Sequence, residues 1–106
     1  MAKFLVVASY SPDGIKGVMK TGGTARANAV SKAVEGVGGT MESFHFAFGE
    51  NDAFVVVDMP DNIAAAALGM AVSSTGLAST KTVVLLTPEE IDRAVHTDVT
   101  YIPPGQ

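Results

Sequence analysis

The stretch 38-GGTMESFHFAFGENDAFVVVDMPD-61 decides the architecture of this chain. Two runs suited to strands, Thr40–Phe48 and Ala53–Met59, flank a short polar loop, Gly49-Glu50-Asn51-Asp52. Phenylalanine and valine dominate both runs and fit a pleated, half-buried surface. Glycine and asparagine tolerate the positive φ of a tight loop, so the stretch reads as a hairpin. Side chains alternate along a strand. Phe44, Phe46 and Phe48 therefore fall on one face, and Met41, Ser43, His45 and Ala47 on the other. The aromatic face is expected against a core, the mixed face toward a cavity or a second subunit. Ala53–Val57 is apolar at every position, the pattern of a strand buried on both faces. One layer of helices covers only one face of a sheet, so the other face needs a cover.

Outward from the hairpin, Lys3–Tyr10 reads as the first strand, ended by a turn at Ser11-Pro12-Asp13-Gly14. Ile15–Lys20 suits a single helical turn, broken by Gly22-Gly23. With Thr24 as its N-cap, a helix carries Ala27, Val30, Ala33, Val34 and Val37 on one stripe and ends at Gly38-Gly39. After Pro60, Asp61 or Asn62 caps a second helix that runs to about Ser74, with Gly76 as its stop. Ile63–Val72 holds no charged residue and is rich in alanine, so this helix is expected to be buried on more than one side. Thr80–Leu86 is the last strand. Thr87-Pro88-Glu89-Glu90 is a helix start, with threonine as N-cap, proline at the first position and a glutamate three residues on. Two prolines in Tyr101–Gln106 favour an extended tail. The order βαββαβ predicts an α+β, ferredoxin-like fold with a four-stranded antiparallel sheet and both helices on one face. The expected division is a domain over 1–98 and an extended C-terminal tail over 99–106.

Composition agrees with an assembly. Of 106 residues, 47% are hydrophobic and 17% charged, which is apolar for a small soluble monomer. A net charge of −4, with 7 lysines and arginines and no basic run, argues against nucleic-acid binding. Without cysteine there is no disulfide framework, thiolate zinc site or thiol nucleophile. His45 and His96 are too few for a typical transition-metal site. No apolar run reaches the ~20 residues of a membrane span, and the opening apolar run is shorter than the ~7–15 residues of a signal core. The expectation is a cytoplasmic protein whose partner is itself, as a homodimer or higher oligomer.

Tyr10, Gly14-Ile15-Lys16, Arg26, Gly38-Gly39, Phe44, Gly49-Glu50-Asn51-Asp52, Pro60-Asp61, Gly76 and the threonine-rich last strand carry a resemblance. In their order and spacing they resemble the GYD-domain family, grouped with the dimeric α/β barrels. The likeness covers nearly the whole chain up to the last helix. Asn51 stands where that family has tyrosine. The resemblance implies the ferredoxin-like fold and a dimer closed sheet against sheet, and little about activity.

His45 is the one ionisable group on the mixed face of its strand. An imidazole between two sheets could act as general acid or base, or ligate haem. It equally suits a histidine hydrogen-bonded across a dimer. Asp52, just before a strand, could orient a base, yet such a carboxylate more often satisfies backbone N–H groups of its own turn. Tyr10 suits a cavity mouth as well as a core edge. Lys16, Lys20 and Arg26, near Gly22-Gly23 and a helix N-terminus, could hold a carboxylate or phosphate, although no phosphate-loop pattern follows and such charges more often form a solvated face. The candidate ligand-binding residues are thus Tyr10, Lys16, Arg26, His45, Asn51 and Asp52, with His45 the catalytic candidate, no metal site and no cofactor assigned. The expected function is small-molecule binding between the sheets of an oligomer. The alternative is a small enzyme for proton transfer or cofactor-free oxygen chemistry.

Overall fold

Four strands form the expected sheet: β1 (Ala2–Tyr10), β2 (Thr40–Phe46), β3 (Ala53–Met59) and β4 (Ala78–Leu85). The computed structural model, which describes residues 1–106, pairs them antiparallel throughout in the order β2-β3-β1-β4. This is an α+β, ferredoxin-like sheet. The helices are α1 (Pro12–Thr21), α2 (Gly23–Gly36), α3 (Asn62–Ser73) and α4 (Pro88–Val95).

The register sorts the side chains. Phe4, Val6 and Ala8 of β1 stand opposite Val57, Val55 and Ala53 of β3. On this inner face lie the buried Phe4, Ala8, Ala53, Val55, Val57 and Met59, joined by Val34 of α2 and by Ala65 and Leu68 of α3. Val34 is wholly buried, and removing such a side chain from water contributes about 1.5–3 kcal/mol. The outer face carries Leu5, Val7, Phe54, Val56 and Val83, and no element of the chain covers it. Phe54 is 37% and Val83 46% exposed. The strand Ala53–Met59 is therefore buried on one face only within a single chain.

β2 departs from simple alternation. Thr40 and Met41 pair with Asp58 and Val57, but Ser43 pairs with Val56, so Glu42 is an extra residue at a bulge. A bulge shifts every earlier side chain by one face. Met41, expected beside His45, instead joins Phe44 on the core face and packs against the core. The strand also ends at Phe46 rather than Phe48, and Phe48 is fully exposed. His45 pairs with Phe54 and lies on the outer face, away from the helices.

Ser11–Gly14 is a helix start, not a turn. Ser11 Oγ accepts the Gly14 N–H at 3.1 Å, and Pro12 sits at the first helical position. This cap nucleates ten residues of α1 where a single turn was expected. α2 then begins from Gly22, whose φ of +89° suits glycine alone, and has no side-chain cap. Thr24 lies inside the helix. Asp61 is the cap of α3, accepting the Ala64 N–H at 2.8 Å. Only Ala65 and Leu68 of α3 are buried, whereas Ile63 and Met70 are exposed, so its outer side is bare in one chain.

α4 forms with the full capping box between Thr87 and Glu90. Those hydrogen bonds from Thr87 hold the Glu90 carboxyl below its ordinary value. A depressed carboxyl adds helix stability above its unfolded value and loses it as pH falls through the folded one. Every residue from Ile91 to Gln106 is exposed, and the molecule measures 56 × 33 × 22 Å. No helix is long and apolar enough to cross a membrane.

Candidate functional site

The fold places the six candidate residues in four separate settings. Tyr10 ends β1 opposite the buried Ala78, on the inner face. Arg26 lies one turn into α2 and donates from Nε to the Tyr10 hydroxyl at 3.3 Å. Its guanidinium carbon stands 5.7 Å from the centre of the Tyr10 ring, within the range of cation–π attraction. No carboxylate lies within ion-pairing distance of Arg26 in this structure; the chain's ion pairs belong to Lys3, with Glu42 and Asp58. A cation in the opening turns of a helix also faces the positive end of the macrodipole, a cost of about 0.3–1 kcal/mol at an exposed site. The half-buried arginine breaks a local preference and has no anion to offset it.

Asn51 and Asp52 serve the frame. The Asp52 N–H donates to the Ala8 carbonyl at 2.9 Å, and its carboxylate accepts the Tyr10 N–H at 2.8 Å. The side chain thus prolongs the β1–β3 ladder by one rung beyond Ala53 and fixes the backbone from which the Tyr10 ring projects. Ser9 Oγ donates to Asn51 Oδ1 at 3.4 Å, a second tie between loop and strand. Lys16 is exposed on α1 and lines neither of the hollows described below. His45 sits on the far face of the sheet from Tyr10 and Arg26, exposed, and its imidazole makes no hydrogen bond within the chain.

Between the inner face and helices α2 and α3 lies a hollow of about 90 Å³. Its walls are mostly apolar, with Val30, Phe44, Val55, Ala65, Leu68 and Val72 among them, and its polar side chains are Tyr10, Arg26, Thr80 and Thr82. Outside it runs a more open groove of about 380 Å³ between α1, α2 and α3, with Asp13 on its wall. Tyr10 and Arg26 line both spaces, so the pair stands in the partition between them.

Thr80 and Thr82 were not among the residues marked from sequence, nor was Leu68 or Val72. A signal was present. Thr80 and Thr82 alternate on one face of β4, and α3 above them reads Ala64-Ala65-Ala66-Ala67-Leu68-Gly69. Small side chains set over short hydroxyl side chains leave space between helix and sheet.

A family model described as the GYD domain matches residues 4–95 of the chain. No curated protein and no solved structure matches it.

Proposed function

The chain belongs to the GYD-domain family, and on that premise we propose that it is a small-molecule-binding domain that works as a homodimer. The observation that carries the binding role is the mostly apolar hollow under α2 and α3, with Arg26 and Tyr10 in its wall. Pockets of this make, apolar with a few convergent polar groups, are where small ligands bind. The ligand position differs from the one expected between two sheets, because the hollow lies on the inner face.

The outer face supports the dimer. Leu5, Val7, Phe54, Val56 and Val83 form an uncovered apolar surface in the middle of the sheet. Its border is polar: Lys3 is paired with Glu42 and Asp58, and Ser43, His45 and Lys81 lie around it. An apolar patch rimmed by polar groups marks an interface, and two copies of one face closing on each other is the commonest homo-oligomer. In this reading His45 enters the interface. Acid–base chemistry through His45 is the second reading. Its place on the face that would be enclosed favours it, and the groups that orient the imidazole would come from the second copy.

Light scattering at micromolar concentration tests the assembly, with twice the chain mass of 10.9 kDa expected. A particle of single-chain mass overturns the dimer. Binding is tested by titrating a panel of small apolar acids, amides and alcohols while following the methyl resonances of Val30, Leu68 and Val72. If no compound moves them, the binding role falls.

The C-terminal arm adds a prediction. Val95, Val99, Tyr101 and Ile102 are 69–77% exposed, a row of apolar anchors on a projecting segment. Burying Ile102 against a second copy would contribute about 2 kcal/mol. Ordering each residue opposes this by ~1–2 kcal/mol, and Pro103 and Pro104 lessen that loss. The exposed Ile63 and Met70 of α3 are the uncharged surface to receive the arm. Deleting residues 99–106 is expected to lower the dimer's thermal midpoint by a few degrees or weaken association. A truncated chain with unchanged assembly and midpoint would show that the arm docks nowhere.

A further inference from the structure

Resting on the binding role proposed above, we infer that the ligand is a small monocarboxylate with a compact apolar body. Arg26 holds the carboxylate, Tyr10 assists, and the body fills the hollow beneath α2 and α3.

The charge of the ligand follows from the donor set. Four polar side chains line the hollow, and none is a carboxylate or an amide. Arg26 has donors only. Its Nε is used on Tyr10, and neither terminal nitrogen has a partner in the chain. The Tyr10 oxygen accepts from Arg26, which leaves its own O–H free to donate. The hydroxyls of Thr80 and Thr82 make no side-chain hydrogen bond within the chain and can donate in the same way. A cavity wall of donors with one fixed positive charge favours an acceptor with one negative charge and disfavours a cation.

The geometry of that charge favours a carboxylate. A guanidinium presents parallel N–H groups that match the two oxygens of a carboxylate. Bare phosphate or sulfate would meet the same fork and the hydroxyls of Tyr10, Thr80 and Thr82, but the remaining walls are valine, leucine, alanine, phenylalanine and glycine, which suit an apolar body that those ions lack. Asp13 lines the outer groove and not the hollow, so the groove is the poorer place for the negative charge. The size of the body follows from the hollow. Its volume of about 90 Å³ suits the bulk of a short branched chain rather than of a nucleotide or a long acyl chain.

The test compares isovalerate with isovaleramide, which share shape and differ in charge. Titrations of the full-length protein are followed at the methyl groups of Val30, Leu68 and Val72, in the wild type and in Arg26→Gln and Arg26→Lys variants whose amide spectra show a native fold. The expected result is that wild-type protein binds the acid at least tenfold more tightly than the amide. Arg26→Gln should erase that preference while still binding the amide, and Arg26→Lys should keep part of it. Equal affinity of the wild type for acid and amide overturns the carboxylate assignment and leaves the binding role standing. A preference for the acid that survives Arg26→Gln overturns the part given to Arg26. If neither compound moves the methyl groups of the wild type, the carboxylate assignment falls, and the wider panel then decides whether the binding role falls with it. The wild-type comparison alone decides the class of ligand should Arg26→Gln fail to fold.

Discussion

Replacing Gly14 with alanine is expected to lower the thermal midpoint by roughly 10–25 °C, whereas the same change at Gly17 should raise it by a few degrees. Both glycines lie in α1, three residues apart. On helix propensity alone each substitution stabilises, by up to about 1 kcal/mol. Their surroundings decide otherwise. A Cβ on Gly14 would stand 2.0 Å from the Leu77 carbonyl oxygen and 3.0 Å from its carbon, whereas a Cβ on Gly17 meets nothing within 4 Å. The obstacle at Gly14 is backbone, which cannot turn aside as a side chain would. That same Leu77 oxygen accepts the Ser11 N–H at 2.9 Å and the Ser11 hydroxyl at 3.2 Å. Relief of the clash would lift the start of α1 from Leu77, just before β4, and break both bonds, next to the N-cap. Overpacking costs about 1–3 kcal/mol and occasionally more, and this site, with two hydrogen bonds attached, belongs at the upper end. Each kcal/mol moves the midpoint of a domain this size by about 4–8 °C. Calorimetry on both variants checks the sign. If Gly14→Ala melts at or above the wild type, the contact between α1 and Leu77 is not as described.

The contrast at Gly14 also shows why parts of the fold were legible and parts were not. The hairpin could be read because its signals are local. Alternating apolar residues, a polar four-residue loop and Pro60 after the second strand all lie within one stretch. The cap of α4 was legible for the same reason, since Thr87, Pro88 and Glu90 carry it among themselves. The start and length of α1, read as a single turn over Ile15–Lys20, differ in the structure although the signal at Ser11–Gly14 was equally local. Ser-Pro-Asp-Gly suits a turn and a helix start alike, and what settles it is Ser11 docking on Leu77, far along the chain. The bulge at Glu42 left no mark in composition, because Met41 is plausible on either face. Its placement is decided by pairing with β3, a property of two strands.

The candidate site divides in the same way. Tyr10 and Arg26 were individually recognisable, and their meeting at 3.3 Å depends on where α1 turns the chain into α2. Asp52 was read as satisfying backbone N–H groups of its own turn; its carboxylate instead accepts the N–H of Tyr10 on β1, far away in the chain. His45 was placed on the correct face of β2 despite the bulge, because the irregularity precedes it. What no local pattern held was the void itself. It arises from Thr80 and Thr82 below and the Ala-rich turn of α3 above, two segments each unremarkable alone.

Placing a glutamate at Phe54 is expected to convert the proposed dimer into folded single chains. Phe54 sits between His45 on β2 and Val7 on β1, in the interior of the outer face. In one chain it is 37% exposed, so a carboxylate there can reach water, and the loss within the sheet is limited to cross-strand pairing of about 0.2–1 kcal/mol. Closure of the two faces changes this. Each copy then carries a carboxylate into an apolar interface, at about 2–3 kcal/mol apiece after relaxation and partial hydration. In the proposed interface the same face would occur twice, so the cost would be incurred twice, or about 4–6 kcal/mol in all. At about 1.4 kcal/mol per decade this weakens association by three to four orders of magnitude. A dimer held at micromolar dissociation constant would then need millimolar protein to form. Sedimentation at micromolar concentration should show single chains with native circular dichroism, while Lys81→Glu, at the polar border of the same face, leaves the dimer largely intact. A Phe54→Glu protein that still sediments as a dimer would mean that the copies meet elsewhere and that the outer sheet face remains open in the assembly.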